Sequence, residues 1–190
     1  MSELERRSIE NDIAFHSAPT LLGVKCANLI SFDRSEQAMT EYFREFADKL
    51  SDSGLCTVRL CKFRERILVY IYNEKMLSAW LSMPQVHDLL SEYGYTSDMS
   101  IGKKLHRLSL RFGCGSFPHE IGAFLGYPVE DIRGFIRNRG RNCVLCGYWK
   151  VYENAEKARQ TFKTYDRCRE ILFDRLKSGL NLFQAVGGNI

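Results

Sequence analysis

The chain has 190 residues, 45% of them hydrophobic and 26% charged, with a formal net charge of +4. That length and apolar content suffice for a core without disulfides or a structural metal. No apolar run approaches the ~20 residues that span a bilayer, and the charged opening, Met1 to Asn11, lacks the apolar stretch of a signal peptide. The expectation is a cytoplasmic protein with no membrane partner. The mild basicity is less than a committed nucleic-acid binder carries. Seven cysteines, an odd number, read as free thiols, metal ligands or redox groups rather than as a disulfide framework.

Ser2 as N-cap predicts a short helix over residues 3–15, ending before Pro19. Ala27 to Phe32 is a short apolar run that fits a strand. Asp33 and Glu36 fit a capping box opening a helix to about Leu50, with Ala38, Tyr42, Phe46 and Leu50 at helical spacing. Leu55 to Phe63 and Arg66 to Tyr72 are rich in Val, Ile, Leu and aromatics around Arg64-Glu65, which predicts a hairpin. The second of these strands is apolar on both faces, as a central strand is. Cys56 and Cys61 then fall on opposite faces of one strand.

From Asn73 to Asn138 the pattern is helical, punctuated by Pro84, Gly94, Pro118 and Pro128, with Ile101, Leu105, Leu108 and Phe112 on one stripe. Gly147 to Tyr152 reads as a last strand. Ala155 to Lys177 is a long amphipathic helix closed at Gly179, with Ala158, Phe162, Tyr165, Cys168, Leu172 and Leu176 inward. No repeat or Pro/Gly/Ser-rich linker divides the chain, so residues 1–190 are expected to form a single domain. The fold class is α+β: a small, largely antiparallel sheet of about four strands packed by about seven helices.

Chemistry concentrates between Phe117 and Tyr152. Cys143-Val-Leu-Cys146-Gly147 resembles half of a zinc or iron knuckle, because the spacing brings two thiolates to one ion and glycine permits the turn. Cys168, Cys114, His119 or a second subunit would complete the set. A thioredoxin-type reading needs a helix after the second cysteine, where this chain has a strand. Cys168 itself fits the core.

Ile121 to Ile136 resembles a helix-turn-helix with Gly126 at the turn and a basic tail, which makes a DNA-binding regulator an alternative function. Glu130 and Asp131 at the start of the second helix, and Gly134 in its middle, count against it. His119 and Glu120 open a short helix after Pro118. Arg137, Arg139, Arg141, Tyr148, Trp149 and Lys150 are close in sequence. Arginine forks match phosphate or carboxylate, aromatics stack on planar rings, and His119 can serve as acid, base or metal ligand. The other histidines, His16, His87 and His106, have no carboxylate or cysteine at ligand spacing, and no phosphate loop, nucleophile elbow or His-Glu-x-x-His motif is present.

Four segments carry a family resemblance: His16-Ser17-Ala18-Pro19-Thr20-Leu21, Phe117-Pro118-His119-Glu120-Ile121-Gly122, Phe124-Leu125-Gly126-Tyr127-Pro128 and Gly147-Tyr148-Trp149-Lys150-Val151-Tyr152. They resemble a bacterial family catalogued as domain of unknown function 3793. The resemblance implies a stand-alone bacterial cytosolic protein and supplies no activity, catalytic residue or cofactor.

The residues themselves point to a binding or accessory protein for a small anionic ligand or a metal or redox cofactor. His119 and Glu120 are expected at a pocket floor, Arg137 and Arg141 on the anion, Trp149 and Lys150 beside them, and Cys143 with Cys146 on a zinc or iron ion. A protein-interaction module is the remaining alternative. No complete catalytic constellation is legible.

Overall fold

Ser2 opens the first helix through a reciprocal cap: its side chain accepts from the Glu5 N–H, and the Glu5 carboxylate accepts from the Ser2 N–H. The computed structural model describes residues 1–112 and 117–187. Helix α1 runs over Glu3–Leu21, six residues beyond its expected end and straight through Pro19. Proline lacks the N–H that would bond the carbonyl four residues back. That carbonyl belongs to Phe15, and it accepts from Arg169 Nε at 2.7 Å while the guanidinium lies 4.4 Å above the Phe15 ring. The orphaned acceptor has a charged donor, so the helix continues.

Strand β1 covers Ala27–Phe32, helix α2 Glu36–Leu50, strand β2 Leu55–Phe63 and strand β3 Arg66–Asn73. Ser35, rather than Asp33, caps α2 by accepting from the Ala38 N–H. The three strands form an antiparallel sheet in the order β1-β3-β2, with the apolar β3 in the centre and Ile67 to Ile71 all buried. The two-residue turn carries Arg64 and Glu65 at φ 46° and 64°, the left-handed pair that matches strand twist.

A bulge between Arg59 and Cys61 leaves Leu60 outside the pairing register. It corrects the expectation for the two cysteines of β2. Cys56 pairs with Tyr72 and Cys61 with Leu68, so the extra residue returns both to the same face. They remain four register positions apart, ~13 Å at strand rise, too far to share one ion.

Helices α3 (Glu74–Leu81), α4 (Pro84–Ser91), α5 (Ile101–Phe112), α6 (Ile121–Phe124) and α7 (Val129–Arg137) follow. Leu105, Leu108 and Phe112 are the buried stripe of α5. The expected last strand is a two-residue pair, β4 (Leu145–Cys146) and β5 (Lys150–Val151), forming a second sheet. Helix α8 occupies Ala155–Lys177, the span its stripe predicts, and α9 covers Leu182–Gly187. Nine helices and five strands among the described residues make an α+β fold, with two small antiparallel sheets instead of one. No described helix is long and apolar enough to cross a membrane.

The chain divides into two compact units, residues 1–75 with 165–190, and residues 76–164. Both divisions fall inside helices, at Lys75/Met76 in α3 and Thr164/Tyr165 in α8, which is why no linker composition marks them. In the first unit α1 and α2 cover the sheet face carrying Ile67, Val69 and Ile71, and the core takes in Tyr42, Phe46, Leu172 and Phe183. Cys168 belongs to this core, and burial pushes its thiol up. The second unit carries the Phe117–Tyr152 segment.

Candidate functional site

Two prolines set the local path. The Pro118 carbonyl accepts from the Ile121 N–H as α6 begins, and Pro128 precedes α7. Gly126 takes φ 72° in the turn between them. Helix α6 is a single turn.

In the first turn of α7 the buried Asp131 carboxylate accepts three hydrogen bonds. They come from Trp149 Nε1 at 2.7 Å, the Tyr152 N–H at 2.7 Å and the Glu153 N–H at 3.1 Å. Charge-assisted bonds of this kind are worth ~1.5–3 kcal/mol each. Asp131 therefore fastens the β4–β5 hairpin to α7. Trp149 stacks on Tyr127 with ring centroids 5.2 Å apart and meets Phe162 edge-on at 4.6 Å. The indole works inside this hairpin, apart from the arginines it was expected to accompany.

Gly134 has a steric reason. A Cβ at that position would lie 2.5 Å from Tyr152 Cγ and 2.6 Å from Tyr152 Cβ. The helix accepts a residue of low propensity so that the tyrosine can lie against its backbone. The same contacts bear on the helix-turn-helix reading: Asp131 and Gly134 are committed to the hairpin, and Glu130 is the exposed acid of the first turn.

His119 and Glu120 diverge. Glu120 is wholly buried, paired with Arg111 through Nε and through Nη2 at 3.3 Å, and Tyr95 Oη donates to it at 3.4 Å. The Arg111 guanidinium lies 5.2 Å over the Tyr93 ring. Burial, and then the Glu120 charge, push the Tyr95 phenol well up. This carboxylate anchors α5 to the entry of α6 and does not line an open floor. His119 is exposed, with its ring edge-on to Phe135 at 5.5 Å.

Lys150 approaches the same ring. Its ammonium lies 6.0 Å from the Phe135 centroid and donates to the Gly140 carbonyl at 2.7 Å. Arg137 ends α7, and Arg139 and Arg141 follow in a turn with Arg139, Gly140 and Asn142 all at positive φ. All three arginines are exposed and make no ion pair or side-chain hydrogen bond with any described residue. The unit's other arginines are engaged. Arg107 donates to the Tyr93 carbonyl at 2.9 Å, and Arg111 holds Glu120. Arg133 pairs with Glu92 at 2.6 Å and Arg159 with Glu156 at 3.6 Å.

Cys143 is half-buried in the loop before β4, and Cys146 is exposed on β4. Among the described residues no three His, Cys, Asp or Glu side chains are grouped to hold a metal. Of the completing ligands expected, His119 faces Phe135, Cys168 belongs to the first unit's core, and Cys114 lies outside the described residues.

Of the six expected ligand residues, His119 and Lys150 meet at Phe135, Arg137 and Arg141 flank the same stretch of chain, and Glu120 and Trp149 are spent elsewhere. The sequence reading missed Phe135 as the shared centre, Arg111 as the partner of Glu120, and Asp131 as an acceptor. An aromatic just ahead of the run of alternate arginines was the signal the sequence offered for Phe135. No curated protein and no solved structure matches the chain. A family model described as "Protein of unknown function (DUF3793)" matches residues 13–186, which take in the whole of the site segment, and the chain belongs to that family.

Proposed function

We propose that the chain is a binding protein for a small anionic ligand, held by the exposed cations around Phe135. One observation carries the reading: among the described residues of the second unit, Arg137, Arg139 and Arg141 alone of the arginines have no partner, and they are alternate residues on one short exposed stretch. Cations without a structural partner keep their donors for something else, and guanidinium forks suit phosphate or carboxylate. Lys150 and His119 add donors beside Phe135, whose ring offers a face to a planar ligand.

The test is calorimetric titration of the full chain with inorganic phosphate, a dicarboxylate and a nucleoside monophosphate. The expected result is salt-sensitive binding of at least one of them, weakened about tenfold or more by Arg137→Ala and by Arg141→Ala. Arg159→Ala, which removes an arginine already paired with Glu156, serves as the control. Wild-type affinity in the two site variants would refute the assignment. So would tight binding of duplex DNA with none of the small anions bound, which would favour the helix pair as a regulator.

A further inference from the structure

The first unit holds a cavity that the anion-binding reading does not use. It lies between α1 and the end of α8, opens to solvent and has a volume of about 510 Å³. Ligand pockets occupy ~300–1,000 Å³, so the space suits a small molecule. Phe173, Leu176 and Leu180 form its apolar lining. Phe173 and Leu176 stand on the unit's core, and Leu180 is 39% exposed. The apolar surface continues beyond the cavity, because the Phe173 ring meets that of the exposed Phe15 with centroids 6.4 Å apart.

The charged lining has one sign. Arg7 comes from α1 and Lys177 from the last turn of α8, Asn11 adds an amide, and no Asp or Glu among the described residues lines the space. Arg7 and Lys177 are exposed and make no ion pair or side-chain hydrogen bond with a described residue. Their neighbours are engaged: Arg6 pairs with Glu45, and Arg175 donates to the Ala185 carbonyl at 2.6 Å. Solvated cations are ordinary on a helix surface. Two of them at the rim of an apolar cavity that no acid lines complement an anion carrying an apolar body.

The end of α8 does not cancel this charge. A helix ends in carbonyls that disfavour an anion. Here the Arg175 carbonyl accepts from Ser178 Oγ at 2.7 Å, and the Leu176 carbonyl from the Gly179 N–H at 3.1 Å, with Gly179 at φ 95° closing the helix. Those acceptors are met within the chain.

The two helices also set a length. Phe173 lies beside Phe15, while Lys177 and Leu180 share the cavity with Arg7. From Arg7 to Phe15 is ~12 Å at helix rise, so the cations stand at one end of an elongated apolar strip. We propose that this cavity binds a straight-chain aliphatic carboxylate, with its head between Arg7 and Lys177 and its chain along Phe173, Leu176 and Leu180. The guanidinium fork matches both carboxylate oxygens, and Lys177 and Asn11 add donors. The chain takes the apolar lining out of water.

The full chain is titrated calorimetrically with decanoate below its micellar concentration, with acetate, and with decyltrimethylammonium. The expected result is saturable binding of one decanoate per chain. Acetate, which lacks the chain, and decyltrimethylammonium, which lacks the negative charge, should not bind. Arg7→Gln and Lys177→Gln should each weaken decanoate about tenfold, and Leu180→Asp should weaken it further. Arg167→Gln, which changes an exposed arginine of α8 paired with Glu170, should leave the affinity unchanged. All four positions are exposed, so circular dichroism should show the fold retained in each variant. Equal binding of the cationic chain, wild-type affinity in the Arg7 and Lys177 variants, or no uptake of decanoate would each overturn the proposal. So would capture of anionic lipid vesicles without binding of free decanoate, which would assign this face to a membrane surface.

Discussion

Lys25 offers the sharpest test of the energetics. Its side chain is only 4% exposed, and its ammonium lies 5.9 Å from the Tyr165 ring centroid. Burial is the main cause that lowers its pKa to about 8 from an ordinary 10.5, with Cys26 opposing the shift and Arg169 reinforcing it. At about pH 7 the amine is still charged in the folded chain, and a shift of that size corresponds to a cost of about 3 kcal/mol. The sign follows from proton counts. Between the two values the unfolded chain holds more protons than the folded one, so stability rises as pH climbs from about 8 towards 10.5. Lys25→Met keeps the length and apolar contact of the stem and removes the charge. Subtracting ~1 kcal/mol for the lost cation–ring attraction leaves a gain of about 2 kcal/mol at neutral pH. Urea unfolding followed by circular dichroism should therefore show the variant with the higher midpoint at about pH 7 and the difference closing by about pH 10.5. Other titrating groups are common to both proteins, and Cys26, which is coupled to Lys25, has its thiol pushed up to about 11 by burial and stays protonated over most of this range. A variant less stable at neutral pH, or an advantage that does not change with pH, would refute the reasoning.

Gly134→Ala should destabilise by ~1–3 kcal/mol in denaturant titration, because the clash with Tyr152 outweighs the ~1 kcal/mol gained in helix propensity; a stabilised variant would contradict the packing. Arg111→Met should cost at least ~2 kcal/mol by stranding the buried Glu120, and Arg111→Met with Glu120→Gln should recover most of it, a coupling that a double-mutant cycle measures directly. Asp131→Ala should free the hairpin, shifting tryptophan emission to longer wavelength as Trp149 loses its acceptor and costing ~2 kcal/mol or more. Arg137→Ala should change the unfolding midpoint by no more than ~0.5 kcal/mol equivalent, since that arginine holds no described partner.

How much was legible varies with the distance over which each decision is made. The span of α8 was readable because its apolar stripe runs at helical period with a glycine just beyond it. Strands β2 and β3 were readable from β-branched and aromatic runs around a two-residue turn. The end of α1 was not. Pro19 carries a strong local stop signal, and what overrides it is the side chain of Arg169, 154 residues away from the carbonyl it satisfies. The parity of Cys61 was lost to one bulged residue, which leaves no mark in a pattern of period two. The expected last strand, Gly147 to Tyr152, keeps only Lys150–Val151, because its first three residues make the turn that pairs those two with Leu145–Cys146. Gly134 looked like a defect in a helix until Tyr152, eighteen positions later, supplied its reason.

The candidate site obeys the same logic. The crowding of basic and aromatic residues between Phe117 and Tyr152 could be read directly, but which of them were free could not, because pairing is decided by partners outside the motif. A carboxylate taken out of water needs donors, and the two buried acids of the second unit draw them from separate places. Glu120 takes Arg111 and Tyr95, and Asp131 takes Trp149 and two backbone N–H groups. Neither takes a donor from Arg137, Arg139 or Arg141. Once these two acids are satisfied, the fold makes no demand on those three arginines. Three cations on one exposed turn add no stability to the fold, and that is the premise on which the proposed anion site stands or falls.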